Sequence, residues 1–189
     1  TTYRKFTVLI WISMIPTACI GYTARRLVAL TAVSKLVPGA GMLITGIILL
    51  VIDLSRAGGK KTARDASYSN AMWIGICQGL AVFPGLSRSG MTISAGLMSG
   101  FSYSFAVKYS YIMSVPAIAG ALIMELGQFG SADMTVGLGF TYILGMIISG
   151  IVGCFTIRGL LKIVHKGRFR HFAVYCFVIG LLVLIMNFA

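Results

Sequence analysis

The sequence predicts an all-α integral membrane protein with five transmembrane helices and one re-entrant helical hairpin. Three observations lead there. The chain of 189 residues is 58% hydrophobic and only 11% charged, whereas soluble domains carry about 25% charged residues. Its apolar runs are long enough to cross a bilayer and are separated by basic connections. Midway along the chain, two apolar runs too short to cross flank the stretch Pro84-Gly85-Leu86-Ser87-Arg88-Ser89-Gly90-Met91-Thr92.

At 1.5 Å per residue, about 20 apolar residues cross the hydrocarbon core. Residues 6–23 form a first span, kinked at Pro16, which a membrane helix tolerates. Residues 24–36, with Arg25, Arg26 and Lys35, are expected to be a polar connection. Residues 37–54 form the second span, with Pro38 in the first turn, where its missing N–H costs nothing. A basic loop, 55–70, contains Arg56, Gly58, Gly59, Lys60, Lys61, Arg64 and Asp65. Runs 71–83 and 91–100 together make the hairpin, 71–100, with its tip inside the membrane; hydropathy alone leaves a single kinked span open as an alternative. Spans 105–125 (with Pro116), 136–157 and 172–188 follow.

This order divides the chain into three parts. Residues 1–54 are the remainder of a first repeat with two transmembrane helices, 55–70 a basic cytoplasmic linker, and 71–189 a second repeat of hairpin plus three helices. Inverted repeats are common in membrane folds of this kind. The chain starts with Thr1 immediately before a span, so an N-terminal truncation is expected, with one span and one hairpin missing ahead of it.

Sixteen Lys and Arg against four acids give a net charge of +12. Nucleic-acid binding does not follow, because the charges flank apolar runs and no aromatic-basic motif accompanies them. The positive-inside rule places Arg4 and Lys5, the 55–70 loop, and the 158–170 loop with Arg158, Lys162, Lys166, Arg168 and Arg170 in the cytoplasm. The 126–135 loop, with Asp133 and no base, falls outside, as do Arg25, Arg26 and Lys35, a mild violation of the rule. Cys19, Cys77, Cys154 and Cys176 are far apart within apolar runs and read as packing residues, not as a metal or disulfide framework. His165 and His171, in or beside a basic loop, read as solvated or interfacial.

Arg88 is the sole arginine between Ala71 and Leu126, and an arginine at membrane depth marks a site. Pro84 ends the preceding helix, and Gly85 and Gly90 let the backbone turn. The N–H groups opening the next helix favour an anion. The guanidinium fork fits two phosphate oxygens, and Ser87, Ser89 and Thr92 can donate hydrogen bonds to them. The competing readings are a solvated turn for Arg88 and a helix cap for the hydroxyls. A nucleophilic hydroxyl would need a nearby base. None is visible, since Glu125 and Asp53 lie at span ends. Gln78 either bonds a ligand or closes the hairpin.

Pro84-Gly85-x-Ser87-Arg88-Ser89-x-x-Thr92, with Gln78-Gly79-Leu80 upstream and the pattern of spans on both sides, resembles the signature of the undecaprenyl-pyrophosphate phosphatases, the bacitracin-resistance membrane proteins of bacteria. The resemblance covers essentially the whole chain. It implies an interdigitated inverted repeat with two re-entrant hairpins. It also implies hydrolysis of undecaprenyl pyrophosphate to the monophosphate, which recycles the lipid carrier for peptidoglycan and cell-wall synthesis. The protein would be multi-pass in the bacterial inner membrane, its site facing outward. Arg88, Ser87 and Thr92 would be catalytic, with Ser89, Gly85, Gly90 and Gln78 binding substrate. Mg²⁺ or Ca²⁺ is implied too, but the family's second signature, two glutamates separated by three residues and a later histidine, does not occur here. Gln78 and Val82 stand in the equivalent slot. This chain by itself is therefore expected to hold the phosphate-binding half of the site, without metal ligands, and to be inactive alone. The alternative is a transporter or flippase for a phosphate-bearing lipid or anion. Oligomeric state stays open, a homodimer included.

Overall fold

Every apolar run in the sequence is helical in the structure, a computed structural model describing residues 2–32, 34, 36–129, 136–164 and 169–188. The helices are α1 (Thr2–Ala32), α2 (Leu36–Leu54), α3 (Tyr68–Leu80), α4 (Arg88–Met98), α5 (Tyr103–Phe129), α6 (Val136–Val164) and α7 (Arg170–Phe188). Among the described residues, five are long and apolar enough to cross a membrane: α1, α2, α5, α6 and α7. Lys35, Asp133, His165, Lys166 and Arg168, and the side chains of Glu125 and Lys162, lie outside the described residues.

Three connections are shorter than expected. The loop predicted over 158–170 is helix as far as Val164 and again from Arg170, so Arg158 stands on α6 and Arg170 opens α7, and α5 runs on to Phe129 within the loop predicted over 126–135. The polar connection predicted over 24–36 is helix as far as Ala32, so Arg25 and Arg26 stand on α1 and not in a loop. The segment Ala24-Arg25-Arg26-Leu27-Val28-Ala29-Leu30 contains neither Gly nor Pro. Ala, Leu and Arg are strong helix formers, so its charges do not stop the helix.

The hairpin is α3 and α4. Ser67 caps α3 reciprocally: its Oγ accepts from the Asn70 N–H at 3.2 Å while Asn70 Oδ1 accepts from the Ser67 N–H at 3.1 Å. Helix α3, 13 residues, and α4, 11 residues, are about 20 and 17 Å long, short of the roughly 30 Å hydrocarbon thickness. Both outer ends of the hairpin lie on one face. The 55–67 connection leads into α3 and also pairs with the end of α4, since the Gly59 N–H donates to Phe101 O at 3.0 Å and the Lys61 N–H to Gly100 O at 3.1 Å. Lys61 Nζ donates to Ser99 O at 3.0 Å, a cation at the negative end of α4. The same face gathers the start of α1, through Arg64 Nε donating to Thr2 Oγ1 at 2.9 Å. It also gathers the entry to α7, through the Phe169 N–H donating to Asp53 Oδ1 at 3.0 Å.

Helix α1 packs on α3, and α2 packs on α7 and α4. Close approach depends on small residues. A Cβ on Gly75 would strike the Ser13 carbonyl of α1, and one on Gly180 would meet Leu43 at 2.9 Å. An aromatic cluster of Phe6, Phe101, Phe105 and Tyr109 fills the basic end between α1, α4 and α5. Helix α6 stands apart: nothing in its apolar window is buried.

Candidate functional site

Pro84 and Gly85 turn the chain at the hairpin tip. Gly85 has φ +86°, and a Cβ there would collide with the Pro38 carbonyl; a Cβ on Gly41 would likewise collide with the carbonyl of Pro84. These contacts seat the tip on α2. Thr45, near the middle of α2, holds it there: its Oγ1 donates to Gly85 O at 3.2 Å and accepts from the Ser87 N–H at 3.0 Å. The tip thus sits level with the middle of α2, with Gly85 O and the Ser87 N–H bonded to protein, the kind of partner that non-helical backbone in a membrane requires.

Helix α4 starts at Arg88, three residues earlier than the apolar run suggests, because Ser87 is its N-cap. Ser87 Oγ accepts from the Gly90 N–H at 3.2 Å and lies 3.5 Å from Ser89 Oγ. Arg88 therefore occupies the first helical position, beside the positive end of the helix. It is half-buried. Its Nη1 donates to Gln78 Oε1 at 3.4 Å, and Gln78 Nε2 donates to Thr17 Oγ1 at 3.4 Å. Thr17 Oγ1 in turn bonds Ser13 O and Gly75 O, each at 2.9 Å. This chain of contacts ties Arg88 to α3 and to the middle of α1. Among the described residues no carboxylate pairs with Arg88. Tyr111 of α5 is near enough to interact with it electrostatically.

The tip divides two cavities. The larger, about 850 Å³, lies between α1, the hairpin and α5; its polar wall is Thr17, Tyr22, Arg25, Gln78 and Arg88, and the rest, such as Trp11, Met14 and Met124, is apolar. On α5 its lining runs from Pro116, at mid-helix, to Met124, away from the basic face, and on α1 from Trp11 to Arg25. The smaller, about 290 Å³, lies between α2, α4 and α7 and is lined by Gly85, Ser87, Ser89, Gly90 and Thr45 among others. Arg88 and Gln78 thus face one cavity, and the two serines and two glycines the other. Successive helical residues point about 100° apart, so the capping position of Ser87 turns Arg88 aside from its neighbours. Thr92, 1% exposed, lines neither cavity; its Oγ1 bonds Arg88 O at 3.0 Å and lies 2.6 Å from Ser110 Oγ of α5.

Thr17, Thr45, Ser110 and Tyr111 escaped the sequence reading. A lone hydroxyl in an apolar span has no periodic signature, and its only signal is being polar in lipid. Arg25 was visible, but as a loop charge.

Residues 1–182 match the family described as bacitracin resistance protein BacA. The chain belongs to that family. Three relatives named undecaprenyl-diphosphatase illustrate the similarity. That of Desulforapulum autotrophicum is 41% identical over 186 residues, covering 97% of this chain and 66% of the relative. That of Halothermothrix orenii is 36% identical over 183 residues, covering 97% and 70%. That of Methanosphaera stadtmanae is 33% identical over 184 residues, covering 97% and 65%. The chain spans about two thirds of the length of these BacA-family relatives.

The Mg²⁺ or Ca²⁺ implied by the family resemblance does not fit the residues at the tip. Hard divalent cations take oxygen ligands rich in carboxylates, and here stand hydroxyls, an amide and a guanidinium. Among the described residues no three His, Cys, Asp or Glu side chains cluster.

Proposed function

We propose that the protein serves the hydrolysis of undecaprenyl diphosphate to undecaprenyl phosphate and phosphate, with Arg88 as the residue that holds the phosphate. Water adds to the terminal phosphorus, the P–O bond of the anhydride breaks, and lipid monophosphate leaves. The carrying observation is Arg88: a half-buried, permanent charge at mid-depth, at a helix N-terminus, without an anionic partner among the described residues, on the wall of a mostly apolar cavity. Gln78 and Thr17 orient the guanidinium. The apolar wall suits a prenyl chain. In this reading the cavity faces outward and the basic face lies in the cytoplasm of a bacterial inner membrane, as the positive-inside rule favours.

Ser87, Ser89, Gly85 and Gly90 shape the tip and present polar groups to the smaller cavity, while Thr92 fixes the first turn of α4 beneath Arg88. The transporter alternative gains nothing from the relatives, which are named for hydrolysis.

Phosphate release by the full-length protein in detergent tests the reading. Arg88→Lys keeps the charge but loses the fork that follows charge developing during displacement. It should lower kcat by about 10²–10³ with normal membrane yield. Near-wild-type turnover would return Arg88 to an architectural role.

A further inference from the structure

The larger cavity contains a second arginine. Thr17, Gly21 and Arg25 recur every fourth residue on α1 and so share one face. That face meets the hairpin: Thr17 bonds Gly75 O, and Gly21 approaches Val82. Arg25 lies two turns beyond Thr17, about 12 Å along the axis, on the side away from the basic face. Arg25 and Arg88 both line this one cavity. Among the described residues Arg25 makes no hydrogen bond or ion pair, and no described Asp or Glu lines the cavity. Its neighbour Arg26 does not line the cavity.

We infer that Arg25 is a second headgroup-binding residue, which meets the lipid diphosphate at the mouth of the cavity whose floor is Arg88. The inference rests on the reading of Arg88 as a phosphate-binding residue. It also accounts for one of the three charges that break the positive-inside rule: Arg25 is placed by the ligand's charge and not by membrane orientation. A cation at the mouth raises the local concentration of an anionic head and hands it inward. Being remote from the bond that breaks, it contributes equally to ground and transition states, and its loss appears in KM and not in kcat.

The test uses full-length protein and farnesyl diphosphate in detergent, following phosphate release. Arg25→Gln should raise KM about tenfold, the equivalent of one charge-assisted hydrogen bond, with little change in kcat. Arg25→Lys should recover most of the loss, and Arg26→Gln should match wild type. An unchanged KM in Arg25→Gln, or an equal rise in Arg26→Gln, would overturn the inference while leaving Arg88 untouched. Should Arg25→Gln fail to accumulate in membranes, Arg25→Met, suited to an apolar wall, reads the same KM. If wild-type protein releases no phosphate, the hydrolytic reading fails by itself. Binding of farnesyl diphosphate to wild type and Arg25→Gln then decides: weaker binding by the variant supports Arg25, and equal binding refutes it.

Discussion

Single residues at the tip are locked by contacts the sequence does not spell out. The motif from Pro84 to Thr92 was legible as a turn with one buried charge. Which way each side chain points was not, because that depends on the cap at Ser87 and on Thr45, 42 positions away in the chain. Thr92 is the instructive case. Its hydroxyl joins Arg88 O and Ser110, so Thr92→Val should leave a buried serine without its partner and lower stability by about 1–3 kcal/mol. Thermal unfolding in detergent should show that loss, while KM stays within a few-fold of wild type. A loss of turnover at full stability would mean that the hydroxyl reaches substrate. Ser87→Ala should cost about 1 kcal/mol as a lost cap, read in the same unfolding experiment.

At the level of elements, the hairpin was the clearest prediction and the extent of α1 the least clear. Two short apolar runs around Pro84 force a break, whereas charges on a helix and charges in a loop look alike when no Gly or Pro intervenes, as at Arg25 and Arg26. The tip's fit to α2 is testable at Gly85. Gly85→Ala would place a side chain in left-handed backbone, at a cost of about 1–2 kcal/mol, and drive it into the Pro38 carbonyl. Membrane yield and melting temperature should both fall. The loop before α3 carries its own pH dependence. The Thr62 N–H and hydroxyl, each 2.9 Å from Asp65 Oδ2, hold the Asp65 carboxyl below its ordinary value. The turn is therefore favoured above the ordinary carboxylate pKa of about 4 and loosens as pH falls through the lowered value. The protection of the Thr62 amide against hydrogen exchange, taken relative to the intrinsic rate at each pH, should fall in acid, and should already be low at neutral pH in Asp65→Ala.

For the whole molecule, α1, α2 and α5 pack against a hairpin too short to cross, and α7 joins them through α2. The basic connections and both outer ends of the hairpin share one face, and the larger cavity extends toward the other. In protein stripped of native cysteines, Lys60→Cys should react with membrane-impermeant reagents from the cytoplasmic side, and Leu86→Cys from the outer side. Labelling of Leu86→Cys solely from the cytoplasm would invert the orientation proposed for the site. The number of spans and the basic face were readable from hydropathy and charge. The separation of two cavities by the tip was not, since it arises from packing between α1, α2 and α5, remote in sequence.

The hairpin's dependence on α1 and α2 also sets an order of assembly. Helices of about 20 and 17 Å cannot be laid across a bilayer one at a time, and an open turn in hydrocarbon leaves its amides and carbonyls dry. Thr45, which bonds the turn at Gly85 O and the Ser87 N–H, and Thr17, which bonds α3 at Gly75 O, sit on helices that precede the hairpin in the chain. Insertion of α1 and α2 must therefore be complete before the turn can settle, and the site is a late product of biogenesis. Lesions at Thr45 would then surface as slow maturation and protease sensitivity at the hairpin long before they show as lost membrane integration.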